Sequence, residues 1–489
     1  MVSEGFPMFC RALLTAAFFA VASVPAAASS VVNLTHAAPD GAITQLLLTD
    51  GRVLVQGYGE NDFWTLTPDN TGSYVNGTWT QVASLPSGYV PLYVASAVLA
   101  DGRVVIAGGE YLNGEFAFTN KSAIYDPVKN KWTDITPDRH LLPFIGDSAA
   151  TVLADGRFMV GEKVKKADFA LDPKTLTWAE IGSDKKNDFN AEEGWTLLPD
   201  GSVLTFDVKD HPHSERYLPN KGKWVNAGST VVDLRGPQNC CGNCIPYGPK
   251  GKCYDPPGEV GPAILRPDGT VFATGAIPDG EHTAHTAIYD TATNTWKAGP
   301  DVPSGDQAAD TFAALLTSGN VLVEGSNGGQ FYEFDGTNLV RQSSSANGIY
   351  VPLLLLPTGE VMIGGERVYR SDGTYQAAWA PTITSSPGTV TRGSSYTISG
   401  TQFNGLSQAN AFGDEDNQPT NYPLLRITNN STGHVFYVRT HDHSTMGVAT
   451  GSKTVSTTFD VPSGIETGAS KLVVVANGIP SQPVNVTVN

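Results

Sequence analysis

Most of the chain is built from one repeating pattern of apolar and polar positions. An apolar run of four to six residues meets a two-residue polar turn ending in glycine, and a second apolar run follows. The pattern reads TQLLLTDGRVLVQG (44–57), SAVLADGRVVIAGG (96–109), ATVLADGRFMVGE (150–162) and WTLLPDGSVLTFD (195–207). It continues as PAILRPDGTVFATG (262–275), AALLTSGNVLVEG (313–325) and LLLLPTGEVMIGG (353–365). Runs this short, joined by Asp-Gly, Ser-Gly or Thr-Gly, predict β-hairpins, because glycine tolerates the positive φ a tight turn requires. Most hairpins are followed by a third strand and a tryptophan-bearing fourth, as in SAIYDPVKNKWTDI (122–135), FALDPKTLTWAEI (169–181) and HTAIYDTATNTWKAG (285–299). The tryptophans are Trp79, Trp132, Trp178, Trp224, Trp296 and Trp379, with Leu339 in the sixth repeat. Four strands per repeat and seven repeats predict an all-β chain with a seven-bladed β-propeller over 31–379. The tryptophans read as core between blades.

The Gly-Gly and later Tyr/Trp pattern resembles kelch repeats. From residue 380 the sequence changes to APTITSSPGTVTRGSSYTISGTQFNG (380–405) and ends VSTTFDVPSGIETGASKLVVVANGIPSQPVNVTV (455–488), alternating strands of an immunoglobulin-like "early set" domain over 380–489. Kelch propeller plus early-set domain is similar to the galactose oxidase and glyoxal oxidase family.

Composition narrows the setting. Charged residues make up 16% of the 489 positions, with 52 glycines and 32 prolines supplying turns, and the net charge of −17 argues against a nucleic-acid partner. Arg11, the apolar stretch 13–24, Pro25 and three alanines form the pattern of a secretory signal, with cleavage expected after Ala28. That apolar run is short for a membrane span and no later segment is a better candidate, so the mature chain is expected to be secreted or periplasmic. Cys240, Cys241, Cys244 and Cys253 crowd into an insertion at 229–261, where they read as two disulfides or, alternatively, as a zinc knot.

The turns also locate chemistry. In a propeller the first strand of each repeat is innermost, so its start faces the axis. Counting eight residues back from each turn gives Ala42, Tyr93, Asp147, Glu192, Val260, Asp310 and Tyr350, with Glu193 beside Glu192 and Glu259 beside Val260. In copper-radical oxidases, the resemblance implies, this ring carries a cysteine cross-linked to a tyrosine, then a Tyr-His pair, with a last histidine from the C-terminal domain. It places Tyr93 and Tyr350 at tyrosine positions and His443, or His441, of the loop THDHSTMG (440–447) at the last ligand. The pattern departs at Ala42, where the cysteine would stand, and at Ile349 and Val351, neither of which is the paired histidine. One imidazole with two phenols is a poor copper(II) set.

Carboxylates take over the ring. Asp147, Glu192, Glu259 and Asp310 are the candidate catalytic groups, with Tyr93 and Tyr350 as sugar-stacking surfaces. Three roles stay open: holding calcium, acid–base work on a glycosidic bond or a uronic acid, or hydrogen bonding that only polarises the funnel. The insertion, with Tyr247, Lys250, Lys252 and Tyr254, reads as a wall or lid over the mouth. The expectation is a propeller that binds or acts on carbohydrate or glycoconjugate through an acidic funnel; the alternatives are a copper oxidase with a rebuilt site and a non-catalytic scaffold.

Overall fold

A computed structural model of the chain describes residues 29–489 except 60, 183–185, 238–244, 248–251 and 255–256. The predicted signal (1–28) and Cys240, Cys241 and Cys244 lie outside the described residues.

The described residues are nearly all β. Each glycine turn joins the first two strands of an antiparallel sheet, and seven such sheets follow one another between residues 30 and 370. The seven turn glycines, Gly51 through Gly359, hold φ between 79° and 93°, the conformation the turn type demands. The first strands are Thr44–Leu47, Ala95–Val98, Ala150–Val152, Thr196–Leu197, Val260–Leu265, Ala313–Leu315 and Leu353–Leu355. They lie side by side about an axis, and Leu353–Leu355 returns against Thr44–Leu47, which closes a ring. Their residues are buried throughout, and apolar side chains fill the spaces between neighbouring sheets.

The fourth-strand tryptophans join each sheet to the one before it. The indole N–H of Trp132 donates to the Ala83 carbonyl, that of Trp178 to the Ile135 carbonyl, and that of Trp296 to Ser214 Oγ. Trp379 departs from the expectation. The fourth strand of the last sheet is Ser30–Asn33, paired antiparallel with Arg367–Arg370, while Trp379 ends a short 3₁₀ turn packed over Gly319. The N-terminal strand therefore closes the ring, and the seventh repeat has no sequence-local fourth strand.

Beyond residue 380, the strands form two further sheets around a shared core that includes Ile398, Leu425, Phe459 and Val474. Two parts of this region reach back. Residues 439–446 run beneath the hairpin turns: the N–H of Thr440, His443 and Met446 donate to the carbonyls of Thr49, Ala100 and Ala154. Residues 404–423 run up the axis itself. There Asn410–Ala411 adds a fifth strand to the sixth sheet, pairing with Ala313 and Ala314. Gln408 accepts from the Leu197 N–H and donates to Thr151 Oγ1. Asn410 accepts from the Leu355 N–H at 2.9 Å and donates to the Gln418 carbonyl. Asp416 accepts from Thr44 Oγ1, and its N–H donates to the Val94 carbonyl. Gly413 packs so closely on Val260 that a Cβ there would stand 2.9 Å from its carbonyl oxygen. One segment thus touches the innermost strand of every sheet or the residue that precedes it.

Asn410→Ala leaves the buried Leu355 N–H without its acceptor. Chemical denaturation should show a loss of ~1–3 kcal/mol, and a variant as stable as the parent would contradict the account of the axial strand.

Candidate functional site in the axial cleft

The starts of the inner strands and the tip of the axial strand meet on one face. At every start the chain passes through the left-handed region: Gly41 (φ 68°), Tyr93 (56°), Gly146 (66°), Glu192 (56°), Gly258 (108°), Asp310 (47°) and Tyr350 (59°). For the four that are not glycine this costs ~1–3 kcal/mol each, and such strain collects where side-chain placement matters. Here it aims Tyr93, Glu192, Asp310 and Tyr350 at the axis.

A cleft of about 290 Å³ lies between them. Every described residue lining it bears a carboxyl group or an aromatic ring. The carboxyls are Asp147, Glu192, Glu259 and Asp310, as expected, together with Glu110, Asp414 and Glu415. The rings are Tyr93 and Tyr350, as expected, with Tyr111, Phe116, Tyr254 and Phe412. Tyr93, Tyr111, Phe116, Phe118 and Tyr254 form a continuous arc of edge-to-face contacts, with centroids 6.2, 5.7, 4.9 and 5.2 Å apart. A second, more neutral chamber of about 480 Å³ shares Tyr93, Tyr350 and Phe412 with the first.

Lys163 sits behind this wall and is the feature that most changes the reading of the ring. Its side chain is wholly buried, and Nζ donates to Asp147 Oδ2 at 2.7 Å, Glu192 Oε2 at 2.6 Å and Asp414 Oδ2 at 3.1 Å. Burial opposes its charge, but the three carboxylates outweigh that cost and raise its pKa. Tyr254, from the inserted loop, donates its hydroxyl to Glu192 Oε1 at 2.6 Å, so the insertion does contribute to the wall.

One ammonium does not offset seven carboxyls. Burial, helped by neighbouring carboxylates, pushes Glu110 up to about 8 and Asp147 to about 6. The same causes raise Glu192, Glu259, Asp310 and Glu415. The ring therefore holds protons near neutral pH. Asp147 Oδ1 is buried with no hydrogen-bond partner.

His443 is not part of this site. It lies at the other end of the sheets, under the hairpin turns, with its N–H on the Ala100 carbonyl and Nδ1 on Thr457 Oγ1. Burial lowers its pKa to about 3, so it is neutral. His441 binds Asp442 and Asp460. Neither cleft is lined by any of the nine histidines. With alanine at position 42 and Lys163 already held by Asp147, Glu192 and Asp414, the donors present do not fit a copper centre. A separate rim cluster, Asp207, Asp210 and His213, already has the Asn187 amide and the His213 ring bonded to Asp207.

Counting back from the turns finds the strand starts alone. Glu110 and Lys163 lie just beyond the second strands, which return to the same face, and counting forward would have reached them. Asp414 to Asp416 are announced only by a DED run flanked by Gly413 and Asn417 in a charge-poor chain.

No family model matches the chain. The kelch-like protein terF of Aspergillus terreus is 24% identical over 265 residues, 51% of this chain and 52% of that protein. The chain thus spans about half the length of the curated relative it matches. Among solved structures, it is similar to a fungal alcohol oxidase of the AA5 family in complex with copper (TM-score 0.49, 15% identity, covering 94% of this chain and 98% of that one). It is also similar to a catalytically inactive virginiamycin B lyase from Staphylococcus aureus with quinupristin (TM-score 0.46, 11% identity, covering 70% and 98%). The closed ring of sheets and the kelch-like relative support a kelch-type β-propeller.

Two outcomes follow for the ring. Removing the ammonium in Lys163→Met leaves three buried carboxylates uncompensated, so unfolding at about pH 8 should cost ~3–5 kcal/mol less than in the parent. Unchanged stability would contradict the ion-pair assignment. The second concerns pH. Carboxyls with raised pKa bind protons in the folded chain where the unfolded chain has released them, so their contribution falls as pH rises through about 6 to 8. Lys163 adds stability that is constant below about 10.5 and does not alter this window. The thermal midpoint should be higher at about pH 5.5 than at about pH 8.5, with a smaller difference in Glu110→Gln. A midpoint that rises with pH, or a Glu110→Gln profile like the parent's, would count against it.

Proposed function

We propose that the protein is a secreted seven-bladed propeller with a C-terminal immunoglobulin-like domain, and that it binds and acts on carbohydrate in the axial cleft. The observation that carries this reading is the cleft wall itself, made of carboxyls and aromatic rings and aimed by strained backbone. Carboxyls hydrogen-bond sugar hydroxyls, and aromatic faces stack on the apolar faces of sugar rings. The ring also contains what acid–base cleavage of a glycosidic bond requires, carboxyls whose surroundings separate their protonation. Glu259 and Asp310, strongly shifted by burial and outside the Lys163 ion pairs, are the acids in this reading. Asp147 and Glu192, beside its ammonium, are the bases. Tyr254, from the insertion, forms part of the wall.

Binding to plant, microbial and host glycans, read on an array together with release of reducing ends, tests this. Glu259→Gln/Asp310→Asn leaves the Lys163 ion pairs intact and should lower binding of any glycan the parent retains by about tenfold or more. Undiminished binding by the double variant would place recognition elsewhere and defeat the proposal.

A further inference from the structure

The composition of the cleft says more about its ligand than that it is a sugar. Neutral sugars are recognised by a mixture of donors and acceptors, because each hydroxyl is both. Among the described residues lining it, this wall has no amide, no hydroxyl of serine or threonine, and no basic side chain. The described cation beside it, Lys163, is turned away into Asp147, Glu192 and Asp414. What remains is carboxyl oxygen, phenol hydroxyl and aromatic π-surface; an ammonium entering between the carboxyls takes the place of the protons that burial holds on them, and both the carboxylates and the rings stabilise it.

A second observation is independent of the acidic count. Asp147 is nine-tenths buried, lines the cleft, and has Oδ1 without a partner although Oδ2 is fully engaged by Lys163. A buried orphan acceptor is costly and calls for a donor. Glu259 and Asp310, just before the inner strands of the fifth and sixth sheets, line the same cleft. The neighbouring chamber, beyond Tyr93, Tyr350 and Phe412, is larger and more neutral and suits the uncharged remainder of a chain-like ligand.

We propose that the ligand presents a free amine to this cleft, as an amino sugar oligomer does, with its ammonium between the carboxyls and the aromatic arc. The inference rests on the carbohydrate reading for the sugar part and on the cleft wall for the amine.

Calorimetric titration of the full chain with four probes separates the two. They are glucosamine tetramer, N-acetylglucosamine tetramer, cellotetraose and spermidine, all at about 150 mM salt to screen surface attraction. Glucosamine tetramer should bind about tenfold or more tighter than its acetylated and hydroxyl counterparts. That preference should collapse in Glu259→Gln/Asp310→Asn. If the acetylated or hydroxyl tetramer binds as tightly, the amine inference falls while the carbohydrate reading stands. If spermidine binds and no tetramer does, the amine inference stands and the sugar does not. A preference that survives in the double variant reflects the chain's overall negative charge and overturns the inference, as does binding of none of the four.

Discussion

The segment that runs up the axis is the constraint on which the rest of this structure depends. A ring of sheets leaves a central channel whose inner strands carry polar groups with no neighbour on the axial side. Residues 404–423 fill that channel with amides and short polar side chains. Gln408, Asn410 and Asp416 bond to inner strands on several sides, while Gly413 admits backbone against backbone. Filling the channel has a second effect: it carries Asp414 and Glu415 to the face where Asp147, Glu192 and Asp310 already converge. The region after residue 380 is therefore part of the site, although its own sheets pack elsewhere.

That convergence creates the electrostatic problem that Lys163 partly solves. Buried carboxylates repel each other and lose solvation, and either protons or a cation must compensate. Here both do. Lys163 takes three carboxylates, and the remainder keep their protons into the neutral range. Adjacent residues repeat the arrangement: Glu193, pointing the other way from Glu192, is buried against Lys186 at 2.7 Å, which also binds Glu215 at 3.1 Å. The inner end of the fourth sheet is thus pinned by two lysines on its two sides. A tethered ammonium leaves no exchangeable coordination position, which distinguishes this ring from a metal centre and leaves the outer cleft free for a ligand.

The hairpins, and the tryptophans of the first five sheets, were legible in the sequence because both depend on local rules, a glycine at positive φ and an indole at fixed spacing. Tyr93, Asp147, Glu192, Asp310 and Tyr350 were legible by counting, since the repeat transfers one geometry to all sheets. What was not legible depends on contacts between distant segments. Ser30–Asn33 supplies the strand that a local reading assigned to the Trp379 region, because ring closure joins the two ends of the chain. His443 lies under the turns, and the residues that do reach the ring, from Asp414, stand about thirty positions earlier in a stretch without strand periodicity. Lys163 was hidden for a simpler reason. A single lysine in a loop is normally solvated, and only the three carboxylates brought to it by other sheets make it a buried ion.

The most direct test of the account is a crystal of the protein soaked with glucosamine tetramer. The account predicts density for an amine nitrogen in the axial cleft, within hydrogen-bond distance of Asp147, Glu259 or Asp310, with Lys163 still bound to Asp147 and Glu192. A sugar bound on the outer faces of the sheets with the cleft empty, or a metal ion in place of the Lys163 ammonium, would contradict it.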